Sequence, residues 1–283
     1  MINEAIILLG GMGTRLLPYT KTVPKEMLPI YDVPNVYLLV HEAYLSGIKK
    51  IIFVVTEHNR KIIEHFFSRD SYLDEFLKDK PDKEELLKDI NEIIDNVEFV
   101  YVYQELKGTY GAVYSAKDYV TNDNFIIMYG DDLIDNDIPL TKQLIDKYMI
   151  KPCMYVALKE RASNNLPNVG IIKLDQEDNI IDIVDKKSNH SNCELHGRML
   201  LNKKIFTIKD QLQKHANDEY YLPYALLNFI GEVKGLKYQG KYFNIGEKTG
   251  YIKASIHYAM KNEKEKDNII NFIKEEINGV SIL

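Results

Sequence analysis

The feature that most constrains the fold is a pair of wholly apolar runs near the N-terminus, with a helix-like stretch between them. Residues 5–9 (AIILL) and 51–55 (IIFVV) contain no polar side chain, which is typical of strands buried on both faces of a parallel sheet. Residues 36–46 carry apolar side chains at helical spacing, and Gly47 is suited to end a helix. The sequence therefore predicts a βαβ unit with a right-handed crossover.

The same alternation continues along the chain. Short apolar runs predict further strands at residues 97–103, 125–129, 153–158, 170–174 and 180–184. Helical spacing predicts further helices at residues 60–67, 221–229 and 251–261. Strands that alternate with helices predict an α/β fold, with a smaller mixed part after about residue 150.

A charged stretch at about residues 70–96 still shows helical periodicity. Its apolar residues recur at steps of three and four, as on one helix face: Leu86, Leu87, Ile90, Ile93 and Ile94. Pro81 is expected near a break. We interpret the stretch as a helical insertion whose charges form a solvated face and not a binding tract.

Charge and composition argue against several classes of function. The 283 residues carry a formal net charge of −6, which does not suit nucleic acid or an anionic membrane surface as the main partner. No basic N-terminal segment precedes a long apolar run, and no stretch is apolar enough to span a bilayer. We therefore expect a cytoplasmic protein. Cys153 and Cys193 have no histidine cluster around them, so no metal–thiolate site is expected.

A glycine-rich loop, residues 10–15 (GGMGTR), follows the first predicted strand directly. Loops at the carboxyl ends of parallel strands bind ligands in open α/β sheets, and glycines let backbone N–H groups approach a phosphate. The loop is not a P-loop, and Leu16 occupies the place where a dinucleotide fingerprint needs a small residue. Arg15 is a fixed cation that suits a triphosphate. Taken alone, the loop is equally compatible with a plain strand-to-helix turn.

The next run, residues 21–30 (KTVPKEMLPI), favours the phosphate-binding interpretation. It brings Lys21 and Lys25 within ten residues of Arg15. Three prolines oppose a regular helix and predict a stiffened loop that folds back over the site: Pro18, Pro24 and Pro29. Lysines on such a loop are suited to hold phosphates.

Together these residues resemble the signature of bacterial UTP–glucose-1-phosphate uridylyltransferases. The match consists of GxGTR at residues 11–15, Pro18, and PKEMLP at residues 24–29. The related glucose-1-phosphate thymidylyltransferases share most of it, and the double glycine at Gly10 is slightly more like theirs. The KEMLP run and the charged insertion are more like the uridylyl branch. The resemblance extends over about residues 4–262.

The resemblance implies a fold and a reaction. The fold would be Rossmann-like, with a mixed, mostly parallel central sheet flanked by helices, a smaller sugar-binding part and C-terminal helices. One domain would cover residues 1–283, with a nucleotide-binding half at 1–150, a sugar-phosphate-binding half at 151–247 and C-terminal helices at 248–283. UTP and glucose 1-phosphate would give UDP-glucose and pyrophosphate with Mg²⁺, in a homodimer or homotetramer.

The chemistry of this reaction explains which residues it needs. The nucleophile is a sugar phosphate whose second pKa is about 6, so it is mostly ionised at neutral pH and requires no general base. Catalysis has to align two anions and neutralise charge on the leaving pyrophosphate. Arginine, lysine and Mg²⁺ can do both.

The resemblance also assigns roles to individual residues. Arg15 and Lys25 are the catalytic cations on the triphosphate. The nucleotide-binding positions are Leu9, Gly10, Gly11, Gly13, Thr14, Gln104 and Gly108. The sugar-phosphate-binding positions are Asp132, Gly170, Asp185, Lys186 and Glu219. The metal ligands are Asp131 and Asn244.

Several of these residues have ordinary structural alternatives. An aspartate such as Asp131 commonly caps a turn or helix after a strand. Lys186 is also interpretable as an exposed loop lysine, and Gly170 as a plain strand glycine. For Asp185 a surface position and a sugar contact are equally supported.

The sequence departs from the family pattern mostly around the sugar and the second metal ligand. Asn244 stands where the family has aspartate; its carbonyl oxygen can bind Mg²⁺, but it lacks the negative charge that a hard cation prefers. Asp185 replaces a glutamate, Lys187 a proline and Tyr224 an aspartate. Residues 108–112 read GTYGA where the family has GLGHA.

Three hypotheses follow from this pattern. The first is an active uridylyltransferase on glucose 1-phosphate. The second is a pyrophosphorylase that uses dTTP or another sugar 1-phosphate. The third is a non-catalytic nucleotide-binding homologue, for which Asn244 is the main argument. The presence of Arg15, Lys25 and Asp131 favours an enzyme.

Replacing Asn244 with aspartate is expected to lower the Mg²⁺ concentration that gives half-maximal turnover, because a carboxylate is the better ligand for a hard cation. Pyrophosphate release measured across a Mg²⁺ titration checks this, with Asn268→Asp in the charged C-terminal tail as the control. Identical titrations for Asn244→Asp and the unsubstituted protein would place residue 244 away from the metal.

Overall fold

Strands and helices alternate along the chain in a computed structural model that describes residues 1–160, 171–184 and 193–279. The described strands are β1 (Glu4–Leu8), β2 (Pro29–Ile30), β3 (Val33–Pro34), β4 (Lys50–Val55), β5 (Glu98–Tyr103), β6 (Asn124–Tyr129), β7 (Asp132–Asp135), β8 (Met154–Glu160), β9 (Ile171–Leu174), β10 (Ile180–Val184), β11 (Cys193–Asn202), β12 (Val233–Lys237) and β13 (Lys241–Asn244). The described α-helices are α1 (Asn35–Leu45), α2 (Arg60–Phe66), α3 (Ser71–Leu77), α4 (Pro81–Glu84), α5 (Lys88–Asn96), α6 (Gly108–Ser115), α7 (Leu140–Ile150), α8 (Leu222–Leu226), α9 (Lys248–Ala259) and α10 (Lys266–Gly279).

A mixed central sheet forms the middle layer. Its strands lie in the order β12-β8-β11-β6-β1-β4-β5, and β9 with β10 pairs beside the first part of β11. β1 is parallel to both β4 and β6, and β4 is parallel to β5, whereas β11 is antiparallel to its neighbours. The predicted βαβ unit is β1-α1-β4, and the predicted α/β architecture is confirmed.

Helices cover both faces of this sheet because the central strands are apolar on both sides. One buried cluster packs α6 and α8 against β1, β4 and β6. The other packs α1, α2, α5 and α7 against the opposite face of the same strands. The site therefore rests on a rigid three-layer support.

The parallel pairing of β1, β4, β5 and β6 determines where the predicted loops meet. Their carboxyl ends are Leu8, Val55, Tyr103 and Tyr129. Parallel strands in register place these ends along one edge of the sheet. The glycine loop therefore lies beside the segments that begin at residues 104 and 130.

The ten-residue strand β11 is a central element that the apolar pattern does not predict. It lies between β6 and β8, but Glu194, His196 and Arg198 interrupt its apolar run. Arg198 is fully buried, and its guanidinium donates to both carboxylate oxygens of Glu42 on α1 at 2.8–3.1 Å. Glu42, which offsets the cost of burying the Arg198 charge, lies 156 residues away in the sequence.

The predicted helical insertion is present as three helices, α3, α4 and α5. Pro81 is the first residue of α4, where a proline is tolerated because its missing N–H needs no partner. Ile93 is buried, whereas Leu86 is 74% exposed. The prediction of one continuous apolar face is therefore wrong at Leu86, because a 3₁₀ turn at Glu85–Leu87 changes the helical phase.

A short antiparallel ribbon, β7 with β13, lies next to the sheet edge that carries the glycine loop. It pairs Asp132 with Asn244, so the segments after β6 and β13 come together. Asp135 fixes α9 to this ribbon, because it accepts hydrogen bonds from His257 and Lys261 at 2.7 and 2.6 Å. In the part of the chain that the structure describes, no helix is both long and apolar enough to cross a membrane.

Replacing Glu42 with glutamine is expected to lower the free energy of unfolding by about 3–5 kcal/mol, because it leaves the buried Arg198 charge unpaired. Urea denaturation measures the change. The matched control is Glu232→Gln, which breaks an exposed pair with Lys204 at 2.9 Å and should cost less than about 1 kcal/mol. Equal losses for the two variants would contradict the importance of the buried pair.

Candidate active site

The loops after four parallel strands surround a cavity of about 570 Å³. Its lining combines a glycine-rich backbone with a few charged and amide side chains. Residues that the sequence predicted for the site and that line the cavity are Gly10, Gly11, Lys25, Gln104, Gly108, Asp131 and Glu219. Two lysines are among the lining residues, the buried Lys25 and the exposed Lys107, and such cations suit a phosphate-bearing ligand.

The glycine loop is held in place from both sides. Asn59 donates from its side-chain amide to the carbonyl of Leu9 at 2.7 Å. Gly13 has a positive φ of 63° and begins a short 3₁₀ turn, Thr14–Leu16. Thr20, between Pro18 and Pro24, donates to the carbonyl of Gly13 at 2.8 Å. The predicted stiffened loop therefore does fold against the glycine loop.

Gln104, directly after β5, packs on the start of the glycine loop. A Cβ at Gly10 would lie 1.7 Å from Oε1 of Gln104, so only glycine permits this approach. The Gln104 amide nitrogen donates to the carbonyl of Leu106 at 2.8 Å. The structure thus brings together Gly10, Gln104 and Gly108, which the resemblance assigned to the nucleotide.

Gly108 is restricted by close backbone contact. Its φ is 86°, and a Cβ there would meet the carbonyl oxygen of Tyr220 at 2.3 Å. The same carbonyl accepts from the N–H of Tyr110 at 2.9 Å. These contacts fix the segment after β5 to the segment that carries Glu219.

Lys25 and Asp131 form the central ion pair of the site. The Lys25 ammonium donates to Oδ2 of Asp131 at 2.8 Å, and the lysine side chain is only 9% exposed. Burial opposes the charge on Lys25, but Asp131 and Glu26 together raise its pKa above the usual value. Burial also opposes the charge on Asp131, yet Lys25 and Arg15 hold the pKa of that carboxyl below its usual value. Both groups are therefore charged at neutral pH.

Glu26, next to Lys25, was not assigned a role from the sequence. It is 1% exposed, and its Oε1 has no hydrogen-bond partner within the described ranges. Burial raises the pKa of Glu26 to about 7, although the neighbouring Lys25 charge lowers it. Glu26 therefore carries less negative charge at neutral pH than an exposed glutamate would, so it cancels only part of the lysine charge.

Arg15 approaches the same carboxylate from the glycine loop. Its Nη2 lies 4.0 Å from Oδ2 of Asp131, and its Nη1 donates to Oε1 of Glu247 at 2.7 Å. The two predicted catalytic cations, Arg15 and Lys25, thus both face Asp131. Arg15 is half exposed, whereas Lys25 is buried.

The β7–β13 ribbon brings Asn244 beside Asp131. The N–H of Ile245 donates to the Asp131 carbonyl at 2.9 Å. A Cβ at Gly246 would lie 2.8 Å from Oδ2 of Asp131 and 3.1 Å from Oδ1 of Asn244. Oδ2 of Asp131 and Oδ1 of Asn244, the oxygens predicted as metal ligands, therefore both lie close to Gly246.

Asp132, unlike its neighbour Asp131, does not line the cavity. Its Oδ2 accepts from the N–H of Gly197 at 2.7 Å, and its Oδ1 accepts from the Tyr242 hydroxyl at 2.8 Å. Burial raises the pKa of Asp132, and the neighbouring Asp131 charge raises it further. The structure does not bring Asp132 into the cavity predicted to hold the sugar phosphate, because successive side chains in extended chain point to opposite sides. It joins β7 to β11 and β13 instead.

The remaining predicted sugar-binding positions divide into two groups. Glu219 lines the cavity and accepts a hydrogen bond from the Tyr221 hydroxyl. Gly170, Asp185 and Lys186 lie outside the described residues.

Comparison with known proteins agrees with this geometry. Residues 4–265 match the family model described as nucleotidyl transferase. The UTP–glucose-1-phosphate uridylyltransferase of Staphylococcus haemolyticus is 34% identical, over 97% of this chain and 98% of that protein. The chain belongs to the nucleotidyl transferase family.

Solved structures with the same fold include two with bound ligands. A UDP-glucose pyrophosphorylase complexed with UDP-glucose has a TM-score of 0.82 and 31% identity, covering 93% of this chain and 100% of that chain. A UTP-bound UGPase from Acinetobacter baumannii has a TM-score of 0.86 and 28% identity, covering 97% of this chain and 99% of that chain. Over nearly its whole length, this nucleotidyl transferase thus shares its fold with one protein solved with UDP-glucose and another solved with UTP.

Two buried amides support the site of this nucleotidyl transferase and were not predicted. Asn35, at the start of α1, donates to the carbonyl of Gly130 at 2.7 Å, and Asn59, just before α2, supports Leu9. Both are at most 2% exposed. The only sequence signal for them is an asparagine next to a predicted helix start, which ordinarily indicates a cap.

Replacing Gly10 with alanine is expected to weaken UTP binding at least about tenfold, or 1.4 kcal/mol, because the added Cβ displaces the Gln104 amide. Titration calorimetry with UTP measures the affinity. Gly279→Ala, at a position where a Cβ meets nothing within 4 Å, is the matched control and should bind as the unsubstituted protein does. Undiminished affinity in Gly10→Ala would separate Gln104 from nucleotide binding.

Proposed function

We propose that the protein is a UTP–glucose-1-phosphate uridylyltransferase, which forms UDP-glucose and pyrophosphate. The observation that carries the proposal is the buried Lys25–Asp131 pair, 2.8 Å apart, in a cavity that Gln104 and the glycine loop also line. The 34% identity to a uridylyltransferase over 97% of the chain supports it. So does the likeness to a pyrophosphorylase complexed with UDP-glucose.

Lys25 acts as a fixed cation. Because Asp131 and Glu26 raise its pKa, it stays protonated and cannot serve as a base. The attacking sugar phosphate needs no base, since its second pKa is about 6. Lys25 and Arg15 therefore bind the triphosphate and neutralise charge that develops on the leaving pyrophosphate.

The residues present fit a magnesium ion at Asp131 and Asn244. Within residues 1–160, 171–184 and 193–279 no three histidine, cysteine, aspartate or glutamate side chains cluster as a complete metal site. Mg²⁺ usually takes one or two protein ligands and completes its shell with water and substrate phosphates. Two converging oxygens, one charged and one neutral, suit that mode. When bound, the ion would neutralise phosphate charge and help to align the two substrates.

Base and sugar recognition follow from the position of the remaining residues. The Gln104 amide can both donate and accept, which matches a uracil edge, and Gly108 allows close backbone approach. Glu219, which lines the cavity, would accept hydrogen bonds from sugar hydroxyls. The family roles of Gly170, Asp185 and Lys186 at the sugar phosphate are retained in this proposal.

The assembly and location implied by the resemblance, a homodimer or homotetramer in the cytoplasm, are part of the same proposal. Exposed apolar side chains on the two C-terminal helices support self-association. These are Ile252 and Ile256 on α9 and Phe272 and Ile277 on α10.

Pyrophosphate release is expected to be fastest with UTP and glucose 1-phosphate in a panel that also contains dTTP and other sugar 1-phosphates. Arg15→Ala should lower kcat by about 10²–10³-fold, because it removes a preorganised cation. Arg69→Ala, in an exposed pair with Asp95, is the control. A preference for another pair would identify a different pyrophosphorylase. UTP binding without turnover of any pair would identify a non-catalytic homologue.

A further inference from the structure

Arg15 depends on one distant residue for its orientation. Its side chain is 56% exposed and extends from a 3₁₀ turn of three residues, Thr14–Leu16. Among the described residues, Glu247 is the one hydrogen-bond acceptor of the guanidinium, at 2.7 Å. Asp131 lies farther away, at 4.0 Å, and is already bound to Lys25.

Glu247 is a well-anchored partner. It directly precedes α9, its N–H donates to the Asn244 carbonyl at 3.3 Å, and its carbonyl accepts from the Tyr251 N–H at 2.9 Å. The turn before it is closed by the Gly246 N–H, which donates to Oδ1 of Asn244 at 3.0 Å. Its backbone is therefore fixed on both sides, by the ribbon and by the helix.

Stability does not account for this ion pair. Both side chains are substantially exposed, 56% for Arg15 and 40% for Glu247, and such pairs contribute at most about 1 kcal/mol. A carboxylate at this position also repels a triphosphate. An unfavourable charge that contributes little stability requires another explanation, and the alignment of Arg15 supplies one.

We propose that Glu247 is a positioning residue, which holds the Arg15 guanidinium toward Asp131 and the triphosphate. This inference rests on the proposed function. Glu247 fixes the two terminal donors of Arg15, so that Nη1 is engaged by the carboxylate while Nη2 faces the site. The Arg15 side chain then has less rotational freedom to lose when it engages the leaving pyrophosphate. The carboxylate itself does not touch the reacting atoms.

The proposal predicts opposite effects on turnover and on nucleotide binding. Without the Glu247 charge, Arg15 is less well aligned, so kcat falls. The repulsion of the triphosphate also falls, so UTP binds equally well or more tightly. A residue that merely stabilised the fold would lower kcat and the melting temperature together and would not tighten binding.

Steady-state kinetics and UTP calorimetry of Glu247→Gln test this. We expect kcat to fall about tenfold, with a UTP dissociation constant equal to or below that of the unsubstituted protein and an unchanged melting temperature. Glu247→Asp, which keeps the charge, should recover part of the loss. Glu232→Gln is the remote control. Unchanged kcat in Glu247→Gln, or a loss of kcat that follows a loss of stability, would overturn the proposal.

A double-mutant cycle tests whether Glu247 acts through Arg15. In an Arg15→Ala background the Glu247→Gln change should have no further effect on kcat. The same tenfold loss in that background would show that Glu247 acts on the substrate or on the ribbon, and the proposal would be wrong.

A spectroscopic measurement decides the matter without turnover. In arginine-labelled protein, the Arg15 guanidinium signal, assigned by Arg15→Lys, should show hindered rotation that becomes fast in Glu247→Gln. Fast rotation in the unsubstituted protein would overturn the inference about Glu247. Absence of turnover in the unsubstituted protein would overturn the proposed function alone, so the two failures are distinguishable.

Discussion

The interaction on which the rest of the site depends is the ion pair between Lys25 and Asp131. A buried ammonium or carboxylate alone would be costly, and each is retained in its charged form because the other is 2.8 Å away. The pair requires that the loop after β1 and the loop after β6 lie side by side. The direct parallel pairing of β1 with β6 provides this.

The core beneath the Lys25–Asp131 pair also contains buried polar side chains that are held by hydrogen bonds. Asn35 and Asn59 are buried amides whose hydrogen bonds fix the backbone of the loops after β6 and β1. Arg198 and Glu42 form a second buried ion pair. Because Asn35, Asn59 and Arg198 each donate to a group on a different element, these contacts also set the relative position of helices and strands.

The turn formed by residues 244–247 links the β7–β13 ribbon to the residues proposed for catalysis. Asn244 carries no charge, and its amide oxygen accepts from the N–H of Gly246 and so closes the turn next to Asp131. Glu247 directly precedes α9 and accepts a hydrogen bond from Arg15. One turn thus carries Asn244, the second proposed metal ligand, and Glu247, which contacts the proposed catalytic cation Arg15. Gly246 permits this turn because a side chain there would collide with Asp131.

The sequence by itself determined the α/β class, the β1-α1-β4 unit and the identity of the glycine loop and Lys25, because these depend on local periodicity and on short runs of residues. It did not predict β11, whose polar residues find partners only in the folded chain, or the phase change that exposes Leu86. Only the tertiary structure decided that Asp131 meets Lys25 across 106 residues and that Glu247 meets Arg15 across 232. It also separated Asp132 from Asp131, since neighbouring side chains of extended chain face opposite sides and only strand pairing decides which side is the cavity.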